Sequence, residues 1–392
     1  MANTTTLTGL IPDLYEAMDI VARELTGMIP SVTLNASSAR AAVSQAIRSY
    51  VAPAAAAETA SPDRLPPDTG AQTIGTNSLV ITASRVVPFQ WTGEEELQVG
   101  AAHGRRSIQR DQVAQAIRTL VNEIEANLWK TAKEGASRCV GTIGNEVFKY
   151  VLGLGLGDAA LVRRVLVDNG CPMTDLSLVI GSYEGLNLRQ QATLPALGGD
   201  PGAMQLRDQG ILIPLSGMAV RESYAVGAPV VGTTSATVNT AAYAVGATEF
   251  TLSAAACALV KGDIISFAGD TANKYTITGG TLANAGTLQI GAPGLRTAIS
   301  GSASPAITII TAANRNIALH RSAIQLALRA PAVPEEGDSA DDRTVLTDPR
   351  TGISLEFAMY KQYRRVRYEV GAAFGSAVMK SDFIAQLYGK TG

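Results

Sequence analysis

The sequence predicts an α+β fold that carries an inserted small all-β domain. An apolar stripe of helical period runs through about residues 107–135, and strand-like runs lie far from it on both sides. Over residues 230–312 the composition shifts to Thr, Ala, Gly and Val, with turn signals at short intervals. At 392 residues the chain is long for one domain, so two or three folding units are expected.

Residues 7–28 read as an amphipathic helix, with Leu10, Leu14, Met18, Val21 and Leu25 on one stripe and Pro30 just past its end. It is either an arm or a helix packed on its own domain. Strand-like runs over 42–51 and 78–87 flank a proline- and charge-rich middle, residues 53–68, so the pair reads as a long two-stranded tongue. A hairpin of that length is marginal alone in water and needs support, for which a neighbouring subunit is suited; the bland reading is a disordered loop. Ser107 is a candidate cap for the long helix, in which Val113, Ile117, Leu120, Val121, Ile124 and Leu128 recur at three- and four-residue spacing. A short strand is expected over 147–152, a helix capped near Asp158 over 158–167 and a strand over 177–180.

In the Thr/Ala/Gly-rich stretch, strands are expected at 249–252, 263–267, 275–278, 287–290 and 306–310. Beyond it, residues 316–328 read as one strand and 331–342 as an acidic, proline-rich loop. Strands at 354–359 and 366–370 are joined by the basic run Lys361-Gln362-Tyr363-Arg364-Arg365.

Hydrophobic residues make up 46%, much of it Ala and Val, while charged residues are only 17% and aromatic residues 5%. So few ionic groups cannot cover every face, which implies that large areas meet other subunits. A net charge of −2 gives no basic field, which argues against a dedicated nucleic-acid binder. Cys139, Cys171 and Cys257 are scattered, which argues against a disulfide framework or zinc site and fits a reducing cytoplasm. No secretory signal is legible at residues 1–10, and Glu249 interrupts the longest apolar-looking stretch, so no membrane span is expected.

Chemistry has little to stand on. Gly155, Gly157 and Ala160 match a dinucleotide-binding glycine pattern, with Asp175 near the place of a ribose-binding acid, but no succession of βα units follows. His103 and His320, the two histidines, have no partner ligand or nucleophile motif nearby. Glu94-Glu95-Glu96, on a segment read as extended or turning, cannot all face one ion and are read as a solvated or intersubunit charge patch. Arg364 and Arg365 with Arg367 read as the charges that keep an edge strand soluble, with DNA contact as a weaker reading. No catalytic residue, metal site or cofactor is expected.

Thr251-Leu252-Ser253, followed by Val260-Lys261-Gly262-Asp263-Ile264-Ile265-Ser266-Phe267-Ala268-Gly269, resembles the insertion domain of coat proteins from short-tailed phages. Asn316-Ile317-Ala318-Leu319-His320-Arg321-Ser322-Ala323-Ile324-Gln325-Leu326-Ala327 is similar to a run common in that family, with Leu319 in place of the usual aromatic. With the order of parts, the chain resembles the Hong Kong 97-like major capsid proteins of tailed bacteriophages.

The resemblance implies an N-terminal arm (1–40), an extended β tongue or E-loop with its return (41–100) and the spine helix of the P-domain (101–140). It further implies P-domain and A-domain segments (141–229), the β-rich insertion domain (230–312), and A-domain with P-domain return strands (313–392). It also implies pentamers and hexamers in an icosahedral shell assembled in the host cytoplasm, a scaffolding protein and a portal as partners, and packaged double-stranded DNA touched weakly and non-specifically. No membrane is involved.

Arg48, Glu58, Asp63, Arg64, Asp68, Arg85, Glu94, Glu95 and Glu96 are the candidate intersubunit contacts. In some capsids of this fold an E-loop lysine forms an isopeptide bond. No lysine precedes Lys130 here, so a shell without covalent cross-links is expected. The competing readings are another self-assembling virion component, such as a decoration or tail protein, a surface-layer protein, and a nucleotide-dependent enzyme.

Overall fold

Two β-sheets share one long helix, and the chain passes repeatedly between them. The computed structural model describes residues 14–17, 26–37, 39–51, 57, 62, 74–99, 104–149, 156–190, 212, 214–234, 236–239, 241–253, 257–282, 285–300, 305–310, 313–347 and 352–390. The fold is α+β, as the sequence predicts.

Of the helix expected over 7–28, residues 14–17 are helical, with Leu14 and Ala17 buried; most of the rest lies outside the described residues, and 26–28 are not helical. Pro30 sits within a 3-10 turn, Ile29–Ser31, and strand β1 (Thr33–Ala36) follows. β2 (Ala46–Val51) and β3 (Gly75–Val80) form an antiparallel ladder with Ala46 opposite Val80 and Val51 opposite Gly75. β2 starts later than expected because Ser44 turns the chain at φ 70°. The single strand expected over 78–87 is in fact two. At Ile81 the chain bonds back to Gln45 (3.0 Å), at Thr82 it donates to the Phe374 carbonyl (3.0 Å), and it re-emerges in another sheet as β4 (Ala83–Thr92).

The Glu94-Glu95-Glu96 run is helical, not extended: it lies in α1 (Gly93–Gln98). Thr92 and Glu95 form a capping box, in which the Glu95 N–H donates to Thr92 Oγ1 at 3.3 Å and the Thr92 N–H donates to the Glu95 carboxylate at 2.8 Å. The long helix, α2 (Gly104–Gly135), has 32 residues and spans roughly 48 Å at 1.5 Å per residue. It begins ahead of Ser107, which sits in the first turn and is not the cap. Val113, Ile117, Leu120, Val121, Ile124 and Leu128 are all at most 4% exposed. Burying each contributes about 1.5–3 kcal/mol, so the stripe holds this helix to the sheets.

β5 (Arg138–Gly141), α3 (Gly157–Asp168), β6 (Leu176–Ile180), α4 (Ser182–Arg189) and β7 (Ala219–Glu222) come next. Over 147–149 the expected short strand is a turn, with Phe148 at φ 58°, and 150–152 lie outside the described residues. Asp158 does not cap α3; it lies within the helix and its carboxylate accepts the Phe148 N–H at 2.9 Å.

The β-rich stretch holds β8 (Thr233–Thr234), β9 (Glu249–Thr251), β10 (Cys257–Ala258), β11 (Ile264–Phe267), β12 (Asp270–Gly279), β13 (Thr287–Ile290) and β14 (Ile307–Ile309). Phe250, Phe267, Tyr275, Ile277, Leu288 and Ile290 belong to an apolar cluster of its own. Hydrogen bonding does not stop at its border, because Lys274 and Tyr275 of β12 pair with Cys139 and Arg138 of β5.

The single strand expected over 316–328 is broken by a 3-10 turn, Arg321–Ala323, into β15 (Asn314–His320) and β16 (Ile324–Arg329), which lie in different sheets. β17 (Asp342–Thr347), β18 (Ser354–Gln362), β19 (Arg365–Val378) and β20 (Ile384–Gly389) complete the chain. β17 and β20 have no counterpart among the expected strands, and β19, at 14 residues, runs well past the expected 366–370.

The six-stranded sheet has the order β1-β16-β19-β18-β17, with β4 also on β19. β19 is its hub, pairing with β4 over Arg365–Phe374, with β18 over Arg365–Gly371 and with β16 over Ala373–Val378. The ten-stranded sheet runs β14-β11-β12-β5-β20-β15-β6-β7, with β13 and β9 branching from β12. α2 packs on β4 and β19 of the first sheet and on β12, β15 and β20 of the second, so one rod fixes both.

Candidate assembly surfaces

The β2–β3 hairpin has a fixed base and an exposed blade. At the base Leu79 and Ile81 are fully buried with Ala41, Ala327 and Ala373. Gly375 of β19 lets β3 come close, since a Cβ there would stand 2.1 Å from the Val80 carbonyl oxygen. Toward the blade, Tyr50 is 74% and Ile74 64% exposed. Apolar and aromatic side chains at that exposure are suited to covering by another chain.

Of the contact candidates, Arg48 is exposed on β2 opposite Ser78. Glu58, Asp63, Arg64 and Asp68 lie outside the described residues. Arg85 is engaged within the chain, its Nε 2.7 Å from Glu123 Oε1 on α2. Both partners are well exposed, so this pair contributes at most about 1 kcal/mol.

Glu94, Glu95 and Glu96 stand beside the basic run, a juxtaposition not visible in the sequence. Thr92 lies opposite Arg365 in the β4–β19 ladder, and the Gly93 N–H donates to the Arg364 carbonyl at 3.3 Å. Arg364 turns the β18–β19 hairpin at φ 58°. Glu94 and Glu95 are exposed and Glu96 half-buried, while Lys361, Tyr363, Arg364 and Arg365 are all exposed. The backbone N–H of Thr92 holds the Glu95 carboxyl below its ordinary range. Arg367 stands apart, paired with Glu369 at 2.5 Å. The reading of this basic cluster as an edge-strand device fails, because β19 has partners on both sides.

The dinucleotide pattern finds no matching geometry. Gly155 lies outside the described residues, Gly157 opens α3, and the Asp158 carboxylate occupies the first turn, where its charge opposes a phosphate. β5 and β6, on either side of α3, are separated in the sheet by β20 and β15. His320 bonds through Nδ1 with Ser322 and packs edge-on to Phe383; His103 lies outside the described residues. Burial pushes the thiols of Cys139 and Cys171 up to about 11, so neither is a ready nucleophile. Among the described residues no group of three His, Cys, Asp or Glu is placed to hold a metal, and no helix is long and apolar enough to cross a membrane.

No protein-family model matches the chain, and no curated protein does. Similar solved structures include the capsid of the cyanophage P-SCSP1u, with a TM-score of 0.46 and 12% identity over 92% of this chain and 87% of that one. Mycobacterium phage Che8 gives 0.43 and 12% over 88% and 85%, and the capsid of Ralstonia phage GP4 gives 0.44 and 9% over 94% and 89%.

Proposed function

We propose that this chain is the major capsid protein of a tailed bacteriophage, with a Hong Kong 97-like fold, which assembles as pentamers and hexamers into an icosahedral head around double-stranded DNA. The observation that carries this reading is the β2–β3 hairpin: a blade with exposed Tyr50 and Ile74, fixed at its base by Leu79 and Ile81 against Ala327 of β16 and Ala373 of β19. A projecting hairpin that buries little of itself has a purpose when a neighbour covers it.

In this reading residues 1–40 are the arm, 41–100 the tongue and its return, 101–140 the spine and 230–312 an inserted β-rich domain. Residues 141–229 and 313–392 build the remaining body. Shell cohesion comes from buried apolar area, strand pairing and ion pairs, without covalent cross-links. A net charge of −2 suits a container that must fill with DNA and release it, since tight phosphate binding would oppose both. A scaffolding protein and a portal are the expected partners, and assembly takes place in the host cytoplasm. Light scattering on the purified chain tests the proposal: assemblies of many 40.7 kDa copies support it, and a monomer at every concentration and salt contradicts it.

A further inference from the structure

Where β4 meets α1, the six-stranded sheet ends in a tip that carries both signs of charge side by side. On one side Glu94 projects from the first turn of α1; on the other Lys361, Arg364 and Arg365 surround the β18–β19 hairpin, all exposed. None of the ion pairs among the described residues uses any of these four. Their backbones are nonetheless fixed relative to one another by the Gly93 N–H to Arg364 carbonyl bond and by the Thr92–Arg365 register. Tyr363, 89% exposed in the turn between Lys361 and Arg364, supplies the apolar area that a surface ion pair lacks.

We propose that this tip is a self-complementary contact: Glu94 of one copy pairs with Arg364 or Arg365 of a second copy, whose own Glu94 returns the pairing to the first or passes it to a third. A patch carrying both signs in fixed positions complements itself under rotation, so it fits another copy of this chain. A polyanion such as DNA would be drawn to the arginines but repelled by the acidic turn of α1 beside them. The inference deepens the capsid reading by naming one of its contacts.

The test uses the full chain with Glu94→Arg, Arg364→Asp and the double variant. Aspartate is chosen because it tolerates the left-handed backbone at residue 364. The positions are exposed, so circular dichroism should match wild type for all three. Sedimentation at about 0.1 M salt should show each single reversal weakening self-association about fivefold, the upper range for one exposed pair, and the double variant recovering most of that loss. High salt should erase the differences. Wild-type shells insensitive to both single reversals, or a double variant as weak as the two losses combined, would overturn the tip contact and leave the capsid reading standing. Salt-sensitive, reversal-sensitive association that never closes into shells would sustain the contact and overturn the capsid reading. DNA binding lost in Arg364→Asp with association unchanged would make the tip a polyanion site and overturn the proposal.

Discussion

Glu125, in the middle of the long helix, accepts the backbone N–H of Ile29 at 2.9 Å while itself fully buried. The same carboxylate takes the Met28 N–H at 3.0 Å and the Ser223 hydroxyl at 2.9 Å, so one side chain ties the N-terminal turn, the helix and the segment after β7 together. Replacing it by alanine leaves three buried donors unpaired. At about 1–3 kcal/mol for each, Glu125→Ala should lose roughly 3–9 kcal/mol in urea unfolding of the subunit. A loss under 1 kcal/mol would mean that water reaches the site.

A pH dependence follows from the same burial, which outweighs the hydrogen bonds and raises the Glu125 pKa above the ordinary 4.5. The folded chain therefore holds this proton more tightly than the unfolded chain. Its contribution to stability is fully present below 4.5 and is lost as pH rises through the raised folded value. Glu125→Gln, which cannot titrate, should show a smaller fall in unfolding free energy between pH 4.5 and 7 than wild type. Parallel curves for the two proteins would contradict the shift.

The long helix was legible in the sequence because its stripe is long and regular, and every residue of that stripe is buried. The helical state of Glu94-Glu95-Glu96 was also signalled, by the Thr92-x-x-Glu95 capping-box pattern, which the extended reading overlooked. The strand breaks were not legible. At Ile81-Thr82 and at Arg321–Ala323 the chain changes sheet without Gly or Pro, so no breaker residue marks where the hydrogen-bond partners change. The full length of β19 is not legible, because Gly371 and Gly375 interrupt its apolar run. At Gly375 the missing side chain instead admits the Val80 carbonyl. The charged tip is not legible in the sequence, because the segments that carry Glu94 and Arg364 are brought side by side only by the β4–β19 register, which is a tertiary fact.

The β-rich stretch, residues 230–312, is expected to fold when expressed alone, since its cluster of Phe250, Phe267, Tyr275 and Leu288 is separate from the main core. It should give a cooperative thermal transition with β-type circular dichroism. Phe267 is fully buried with its ring 5.0 Å from that of Phe250, so Phe267→Ala should remove about 3–5 kcal/mol from that transition. A disordered spectrum from the unmutated fragment would show that pairing of β12 with β5 is needed for folding.

Deleting residues 54–67 removes the proline-rich middle of the tongue and leaves the cluster at its base, Ala41, Leu79 and Ile81, in place. The subunit should stay soluble with an unchanged thermal midpoint, and assembly should be lost. Loss of folding would place the segment in the subunit's own core.

Mature particles boiled in detergent with reductant should run as one band near 40.7 kDa, because no lysine precedes Lys130 to supply the amine that an isopeptide bond from the tongue needs. A ladder of covalent oligomers would contradict cohesion by non-covalent contacts.

Negative-stain electron microscopy of the purified, concentrated chain tests the central claim most directly. A capsid subunit should give closed polyhedral shells or tubes of uniform wall thickness, and these should disappear when residues 54–67 are deleted. Dispersed single molecules or flat two-dimensional arrays from the intact chain, under every salt and concentration tried, would contradict the capsid reading.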